Sequence, residues 1–417
     1  MHVIGIIAEY NPFHKGHEYL ISRAREEVGD DRAIVMSIMS GPITQRGLPA
    51  MIPKHIRARQ ALMCGSNVVL ELPFEWACAP ASEFAYGAVK SLMATGVVTD
   101  IAFGVEESSA GLVERLADPA LYSSDEYSIR LKESLADGDS FPAANAKAIM
   151  SLPRISGEDE AEKISAALRS PNTILAIEYL KAMRALGAGF RIHMISRKGQ
   201  EYSDTSTDTG LDICSASAIR KAIYDTDGTL ASVASAVNGR MPDRSAAVML
   251  SALSRREFRL SDPNRYALDA ITCSRRDLGS IRFMGDGLDG FVRNVLDDLR
   301  TGETSFDMMS SRLATKHFTM PRIYRALTQM ILGIHEDGIG PDPRFIRVLG
   351  TDRDGRYCLK IMRRCAALPI ISNCSDFLED SSLLKTAELS LRADDLASVT
   401  MGIPPGSSRD IPPVIIK

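Results

Sequence analysis

The stretch "VIGIIAEYNPFHKGHEYLISRAREEV", residues 3–28, joins an apolar run to a helical pattern through two histidines. Residues 3–8 are apolar and rich in β-branched side chains, which is typical of a buried strand. Residues 16–28 place their apolar side chains near helical spacing and their charges on the other face, which predicts an amphipathic helix. The stretch therefore predicts a strand followed by a helix, with His14 and His17 at the junction.

The same alternation continues along the chain. Residues 33–39, 67–73 and 100–106 read as strands, and residues 54–65 and 81–96 read as helices. After residue 170 the pattern resumes with a helix, a strand and a helix, predicted at 172–187, 190–196 and 215–224. Strands that alternate with helices of this length indicate βαβ units. We therefore expect an α/β fold built on a Rossmann-like parallel sheet.

The alternation is interrupted between residues 105 and 170, where 13 acidic residues stand against 7 Lys+Arg and no strand is evident. This composition predicts an acidic helical insertion at about 106–170. A chain of 417 residues exceeds the usual size of one domain. We place a catalytic domain at 1–238 and a mostly helical C-terminal domain, ending in a small α/β part, at 239–417. The tail, 402–417, reads as irregular.

Composition excludes several classes of protein. Hydrophobic residues make up 45% and charged residues 24%, which argues against wholesale disorder. No apolar run is long enough for a membrane span, and no signal peptide is evident. The seven cysteines form no C-x-x-C pair, so we expect reduced thiols in a cytoplasmic protein without a membrane partner. The net charge is −4, so nucleic-acid binding requires a local basic patch.

The two histidines lie where a predicted parallel strand ends and a helix begins, the edge at which open α/β sheets bind ligands. A helix N-terminus favours phosphate, and Gly16 leaves room for a ribose or a base beside the backbone. Imidazoles at His14 and His17 can donate to phosphate oxygens as negative charge builds up during attack at phosphorus. Two alternatives are a zinc site, for which a third ligand at a suitable spacing is missing, and ordinary surface histidines.

A second phosphate-binding segment is predicted at "SASAIR", residues 215–220. Ser215 or Ser217 caps a helix, and Arg220 adds a guanidinium, so the three residues together form a candidate phosphate clamp. The alternative is an ordinary capped helix.

Together these segments resemble the H-x-G-H nucleotidyltransferase superfamily and, within it, the bacterial tRNA(Met) cytidine acetate ligases. The resemblance rests on motifs that follow one another in order: "EYNPFHKGH", "MSGPITQRGLPA", "LELP", "FGVE", "SPNTILAIEYL", "ISRKG" with "EYSD", "SASAIR", "ATKHFTMPRIYRAL" (314–327) and "FIRVLG" (345–350). Lys15 departs from the asparagine that is common in the family. The segment 286–294 departs from the family pattern as well, and we assign no role to it.

The resemblance implies an ATP-dependent ligase. Such enzymes activate acetate as acetyl-adenylate, release pyrophosphate and acetylate the wobble cytidine of elongator tRNA(Met) to N4-acetylcytidine. It implies ATP as cofactor, Mg²⁺ as its counter-ion, and acetate and elongator tRNA(Met) as partners; we expect no DNA partner and no metal held by the protein itself. The catalytic residues implied are His14 and His17. The ATP-binding residues implied are Ile7, Ala8, Glu9, Tyr10, Asn11, Pro12, Phe13, His14, Lys15, Gly16, His17, Glu18, Tyr19, Leu20, Gly104, Asn172 and Arg197.

Basic residues outside these motifs have less certain roles. Residues 241–350 carry 16 Lys+Arg against 14 Asp+Glu, which favours RNA binding in the second half of the chain. Lys316, Arg322 and Arg325 are predicted on one exposed helical face, as a basic stripe for tRNA phosphates or as a solvated face. Arg46 either faces the pocket or is solvated in its loop. For Lys54, Arg57 and Arg59 we expect a solvated helix face.

Two other functions remain open at this point. One is a small-molecule adenylyltransferase of the same superfamily, although about 180 residues follow the catalytic domain. The other is a non-catalytic RNA- or nucleotide-binding protein, against which the intact His14, Gly16, His17 and Arg220 argue.

Overall fold

The computed structural model describes residues 1–106, 110–152, 158–197, 214–302, 304–379 and 381–417, and it contains the predicted alternation of strands and helices. The motif "EYSD" at 201–204 lies outside the described residues. The strands are β1 (Val3–Ala8), β2 (Ile34–Ser40), β3 (Val68–Leu72), β4 (Asp100–Val105), β5 (Arg191–Ser196), β6 (Ile346–Thr351), β7 (Ile370–Ile371) and β8 (Val414–Ile415).

In the part of the chain that the structure describes, five helices of the first half, α5 to α9, lie in the region predicted as an acidic insertion. The helices up to residue 186 are α1 (Lys15–Val28), α2 (Lys54–Met63), α3 (Phe74–Ala77), α4 (Ala81–Ala94), α5 (Ala110–Leu116), α6 (Pro119–Tyr122), α7 (Asp125–Ala136), α8 (Phe141–Met150), α9 (Glu158–Arg169) and α10 (Pro171–Leu186).

The remainder of the chain is mostly helical, as predicted. Its helices are α11 (Ala216–Tyr224), α12 (Leu230–Val237), α13 (Asp243–Ser254), α14 (Pro263–Cys273), α15 (Leu288–Leu299), α16 (Phe306–Leu313), α17 (Met320–Leu332), α18 (Arg353–Cys365) and α19 (Leu384–Thr400). Within the described ranges, none of the helices is long and apolar enough to span a membrane.

The eight strands of the described ranges belong to one sheet of order β5-β4-β1-β2-β3-β6-β7, with β8 also beside β6. The first five strands run parallel, and β6 pairs antiparallel with β3. In β1, Val3 and Ile7 pack on one face of the sheet while Ile4 and Ile6 pack on the other. Both faces are therefore covered, which explains why β1 is almost entirely apolar. The predicted α/β class is confirmed.

The C-terminal strands extend the sheet of the N-terminal half. The tail does not end irregularly, because Val414 and Ile415 pair with Gly350 and Thr351 of β6. A strand of two residues carries too short a pattern to be recognised in the sequence. The domain boundary near residue 238 stays a prediction.

A buried group of charges joins the two halves beside β3. The Lys54 Nζ lies 3.0 Å from both carboxylate oxygens of Glu71 and 2.7 Å from Asp394 Oδ2. Arg347 completes the group, with Nη1 at 3.4 Å from Glu71 and 3.7 Å from Asp394. The expected solvated face is therefore wrong for Lys54, which α19 and β6 cover; Arg59 is exposed as expected.

Candidate active site

A cavity of about 1680 Å³ opens at the carboxyl ends of the parallel strands. Its wall combines the histidine motif, helices of the insertion, α10 and the segment that leads into α17. Pockets for a single small ligand usually measure roughly 300–1,000 Å³, so this cavity has room for more than one substrate.

His14 and His17 form the N-terminal cap of α1. The Gly16 N–H donates to His14 Nδ1 at 3.0 Å, and the His14 N–H donates to His17 Nδ1 at 3.2 Å. The two rings stack with their centroids 3.8 Å apart. Because each Nδ1 accepts a backbone proton, each neutral ring carries its own proton on Nε2. The motif thus supplies two aligned imidazole donors at the cavity wall.

Both imidazoles are neutral at pH 7. Burial, with the positive charges of Arg197 and Arg220, lowers the pKa of His14 to about 3. Burial, with His14 and Arg197, lowers the pKa of His17 well below its usual value. A triphosphate bound beside the rings would raise both pKa values, since negative charge favours the imidazolium.

Arg57 supports the loop of the histidine motif through hydrogen bonds to backbone carbonyl oxygens. Its guanidinium is fully buried and donates to the carbonyl oxygens of Glu9 at 2.7 Å, Ser40 at 3.0 Å and Ile52 at 3.2 Å, and also to that of Gly41. Burial lowers the pKa of Arg57 to about 10. The expected solvated position is wrong, because Arg57 ties the ends of β1 and β2 together.

Gly104, Asn172 and Arg197 meet around a carboxylate that the sequence analysis passed over. Glu106 Oε1 accepts from Asn172 Nδ2 at 3.4 Å and lies 3.7 Å from Arg197 Nη1. The Arg197 side chain crosses Gly104 so closely that a Cβ there would lie 3.1 Å from Arg197 Cγ. Glu106 ends the "FGVE" motif, so its position in that motif was a usable signal.

Arg220 contacts the motif directly, while the two serines serve the helix. Arg220 Nη1 donates to the Asn11 carbonyl at 2.8 Å, and Nη2 donates to Ser217 Oγ at 3.1 Å. Ser215 caps α11 by accepting from the Ala218 N–H. Arg220 lines the cavity, whereas Ser215 and Ser217 lie outside its wall. Of the three residues in the predicted phosphate clamp, Arg220 is the one that lies at the cavity wall.

Ten of the fourteen residues predicted in 7–20 line the cavity. The exceptions are Pro12, Phe13, Lys15 and Glu18. Phe13 packs beneath the motif, with its ring centroid 5.3 Å from that of His17, and Glu18 is exposed to solvent.

The C-terminal basic stripe is not arranged as predicted. Ile323 and Leu327 are buried as expected, but Arg325 is buried too and lines the cavity. Arg322 also lines the cavity and is paired with Asp286 at 2.8 Å. Lys316 is exposed outside the cavity wall. The physical reason is that the loop carrying Arg46, another residue of the wall, covers α17 on its Arg325 side.

The insertion contributes an aromatic side of the cavity that the sequence analysis missed. Tyr122 and Tyr127 line the wall, and Lys181 Nζ lies 3.5 Å from the centre of the Tyr122 ring. The Tyr127 hydroxyl donates to Asn145 Oδ1 at 2.7 Å. Periodicity alone does not reveal these contacts because they join distant helices.

No group of three His, Cys, Asp or Glu within the described ranges is placed to hold a metal ion. The carboxylate side chains at the cavity wall include Glu9 and Glu178.

Comparisons with known proteins agree with this geometry. The family HIGH Nucleotidyl Transferase matches residues 1–407. The tRNA(Met) cytidine acetate ligase of Thermotoga petrophila is 35% identical over 374 residues, covering 88% of this chain and 86% of the relative. The protein of the same name from Acetivibrio thermocellus is 30% identical over 406 residues, covering 95% and 94%.

Solved structures match over the whole chain. The crystal structure of Thermotoga maritima TmcAL without ligand has a TM-score of 0.87 at 30% identity, with 100% of both chains covered. The structure of Thermotoga maritima TmcAL bound with alpha-thio ATP has a TM-score of 0.85 at 29% identity, again with 100% of both chains covered.

Proposed function

We propose that this chain, which belongs to the tRNA(Met) cytidine acetate ligase family of HIGH nucleotidyl transferases, uses ATP to activate acetate and acetylates the wobble cytidine of elongator tRNA(Met). The observation that carries the proposal is the pair of neutral imidazoles at the cavity wall, with Arg197 and Arg220 as neighbouring charges. Support also comes from relatives that bear this name and from the related structure that holds alpha-thio ATP.

In the first step an acetate oxygen attacks the α-phosphorus of ATP. The bond from that phosphorus to the bridging oxygen breaks, and pyrophosphate leaves with the electron pair. The Nε2–H groups of His14 and His17 donate to phosphate oxygens as charge develops, which lowers the barrier without a covalent enzyme intermediate. Arg197 and Arg220 neutralise phosphate charge, and Asn172 hydrogen-bonds the ribose or the base.

In the second step the cytidine N4 attacks the acetyl carbonyl carbon of acetyl-adenylate. The carbon–oxygen bond to AMP breaks, AMP leaves with the electron pair, and N4 releases one proton to solvent. If Mg²⁺ accompanies ATP, it would neutralise charge on the phosphates; such an ion is usually held by one or two carboxylates together with substrate phosphates. Glu9 and Glu178, two carboxylates of the cavity wall, would be its candidate protein ligands.

The test is exchange of labelled pyrophosphate into ATP, run with and without acetate. We expect exchange that requires acetate and no tRNA. Nucleoside analysis of tRNA from cells with and without the protein should show N4-acetylcytidine only when the protein is present. Exchange that instead requires a phosphorylated coenzyme precursor would contradict the proposal and support a small-molecule adenylyltransferase.

A further inference from the structure

Arg325 is a buried cation at the cavity wall that forms no ion pair with a carboxylate of the described residues. Its exposed fraction is 9%, and its Nε has no hydrogen-bond partner. Among the described residues, its hydrogen bond is a long one, from Nη1 to the Gln45 carbonyl at 3.4 Å. A buried guanidinium is unfavourable unless an anion pairs with it or carbonyl groups satisfy its N–H donors, as they do at Arg57. Arg325 has neither a paired anion nor a comparable set of carbonyl acceptors among the described residues.

Two further guanidinium groups lie at the same part of the wall. Arg322 stands one helical turn before Arg325 on α17, with 31% of its side chain exposed, and Arg46 lies on the covering loop. Burial, with the added charges of Arg322 and Arg46, lowers the pKa of Arg325 to about 10. Among the described residues, the carboxylates that line this part of the wall are Asp286, which pairs with Arg322, and Glu336. Glu83, which pairs with Arg282 outside the wall, also acts on Arg325.

This set of arginines is distinct from the one at the histidine motif. The cations that act on His14 are Arg197 and Arg220, whereas those that act on Arg325 are Arg322 and Arg46. The cavity is also larger than ATP alone requires. Arg220 and Arg197 contact the Asn11 carbonyl and Glu106, whereas Arg325 and Arg322 contact the Gln45 carbonyl and Asp286, so two groups of arginines with different partners face one cavity.

Acetate does not suit the second group of arginines. To attack ATP, its carboxylate must touch the α-phosphorus, and the phosphates belong beside the histidines and Arg197. A nucleotide of an RNA strand, in contrast, brings its own backbone phosphates into the cavity when its base enters. The side chain of Arg322 is partly exposed and that of Arg325 is buried, so an RNA strand that enters from solvent would meet the two guanidinium groups in turn.

We propose that Arg325, together with Arg322 and Arg46, forms an inner anion site that binds a backbone phosphate next to the acceptor nucleotide of the tRNA. The inference rests on the proposed function, because it takes the RNA substrate from there. The proposed site lies inside the cavity, whereas the sequence predicted Lys316, Arg322 and Arg325 on an exposed basic stripe.

The experiment titrates the anticodon stem-loop of tRNA(Met) by filter binding at several salt concentrations, beside acetate-dependent pyrophosphate exchange. For Arg325→Gln we expect binding weakened about tenfold or more and a salt slope shallower by about 1. The acetate concentration for half-maximal exchange should change less than twofold. Arg312→Gln is the matched control, since Arg312 lies on neighbouring α16 outside the cavity wall and should bind like the parent.

A gain-of-binding variant guards against misfolding of Arg325→Gln. Asp286→Asn removes the carboxylate that pairs with Arg322, so it should tighten stem-loop binding and steepen the salt slope. Parent-like binding in both variants would overturn the site. The proposal would also be overturned if Arg325→Gln raised the acetate concentration for half-maximal exchange and left RNA binding unchanged, because the site would then bind acetate. Absence of acetate-dependent exchange in the parent protein would instead contradict the proposed function, whatever the binding results.

Discussion

His17 has two tasks in the motif, since its Nδ1 accepts from the His14 backbone and its Nε2–H faces the cavity. For His17→Ala we expect turnover to fall by on the order of 10²–10³, because one donor to the developing charge is lost. The Kd for ATP should rise only a few-fold, since the donor acts mainly on the transition state. Single-turnover acetylation and equilibrium ATP binding measure the two effects. His335→Ala, which removes a histidine outside the cavity wall, is the control; parent-like turnover in His17→Ala would remove His17 from catalysis.

The positions of some single residues could be predicted from the sequence, whereas those of others could not. His14, His17, Gly104 and Arg197 could be placed in advance because strand ends and quoted motifs bring them to one edge of a sheet. The position of Arg325 could not, because helical spacing tells which residues share a face but not which distant loop covers that face.

The loop that carries Gly47 packs against α17 and covers the side of this helix on which Arg325 lies. Gly47 has φ of +94°, and a Cβ there would overlap the backbone nitrogen of Arg325. Thr328 of the same helix donates to the Gly47 carbonyl. Gly47→Ala should therefore lower the free energy of unfolding by more than about 1 kcal/mol, through backbone strain and separation of the two elements. Denaturant unfolding measures it, with Gly290→Ala in α15 as control, since that position is open. Equal stability of the two variants would show that the contact is dispensable.

Elements with a long repeat could be predicted closely. The strand expected at 33–39 is Ile34–Ser40, and the helix expected at 172–187 is Pro171–Leu186. Short strands at the far edge, such as Val414–Ile415, escape prediction because tertiary pairing and not local pattern creates them.

At the scale of the whole molecule, β3 depends on the C-terminal half. Its outer edge is paired with β6, and its Glu71 forms an ion pair with Arg347. Asp394 joins the same buried group through Lys54. A fragment of residues 1–238 would leave an apolar strand edge and half of a buried charge group uncovered, and such edges promote aggregation. We expect this fragment to be insoluble or to unfold without cooperativity, unlike the full chain. Circular dichroism melting and size-exclusion chromatography test this; a monomeric fragment with a cooperative transition would support the boundary at 238 as an independent folding unit.

The pairing of β3 with β6 also has a consequence for the order of events on the ribosome. The histidine motif and β3 leave the exit tunnel early, whereas β6, Arg347 and Asp394 are among the last parts to be made. Until β6 has been made, the outer edge of β3 is unpaired, and an open strand edge of this kind can pair with another chain. The lining of the cavity extends along the chain as far as Glu336, so a product that terminates before α17 lacks Arg322 and Arg325 and has an incomplete cavity.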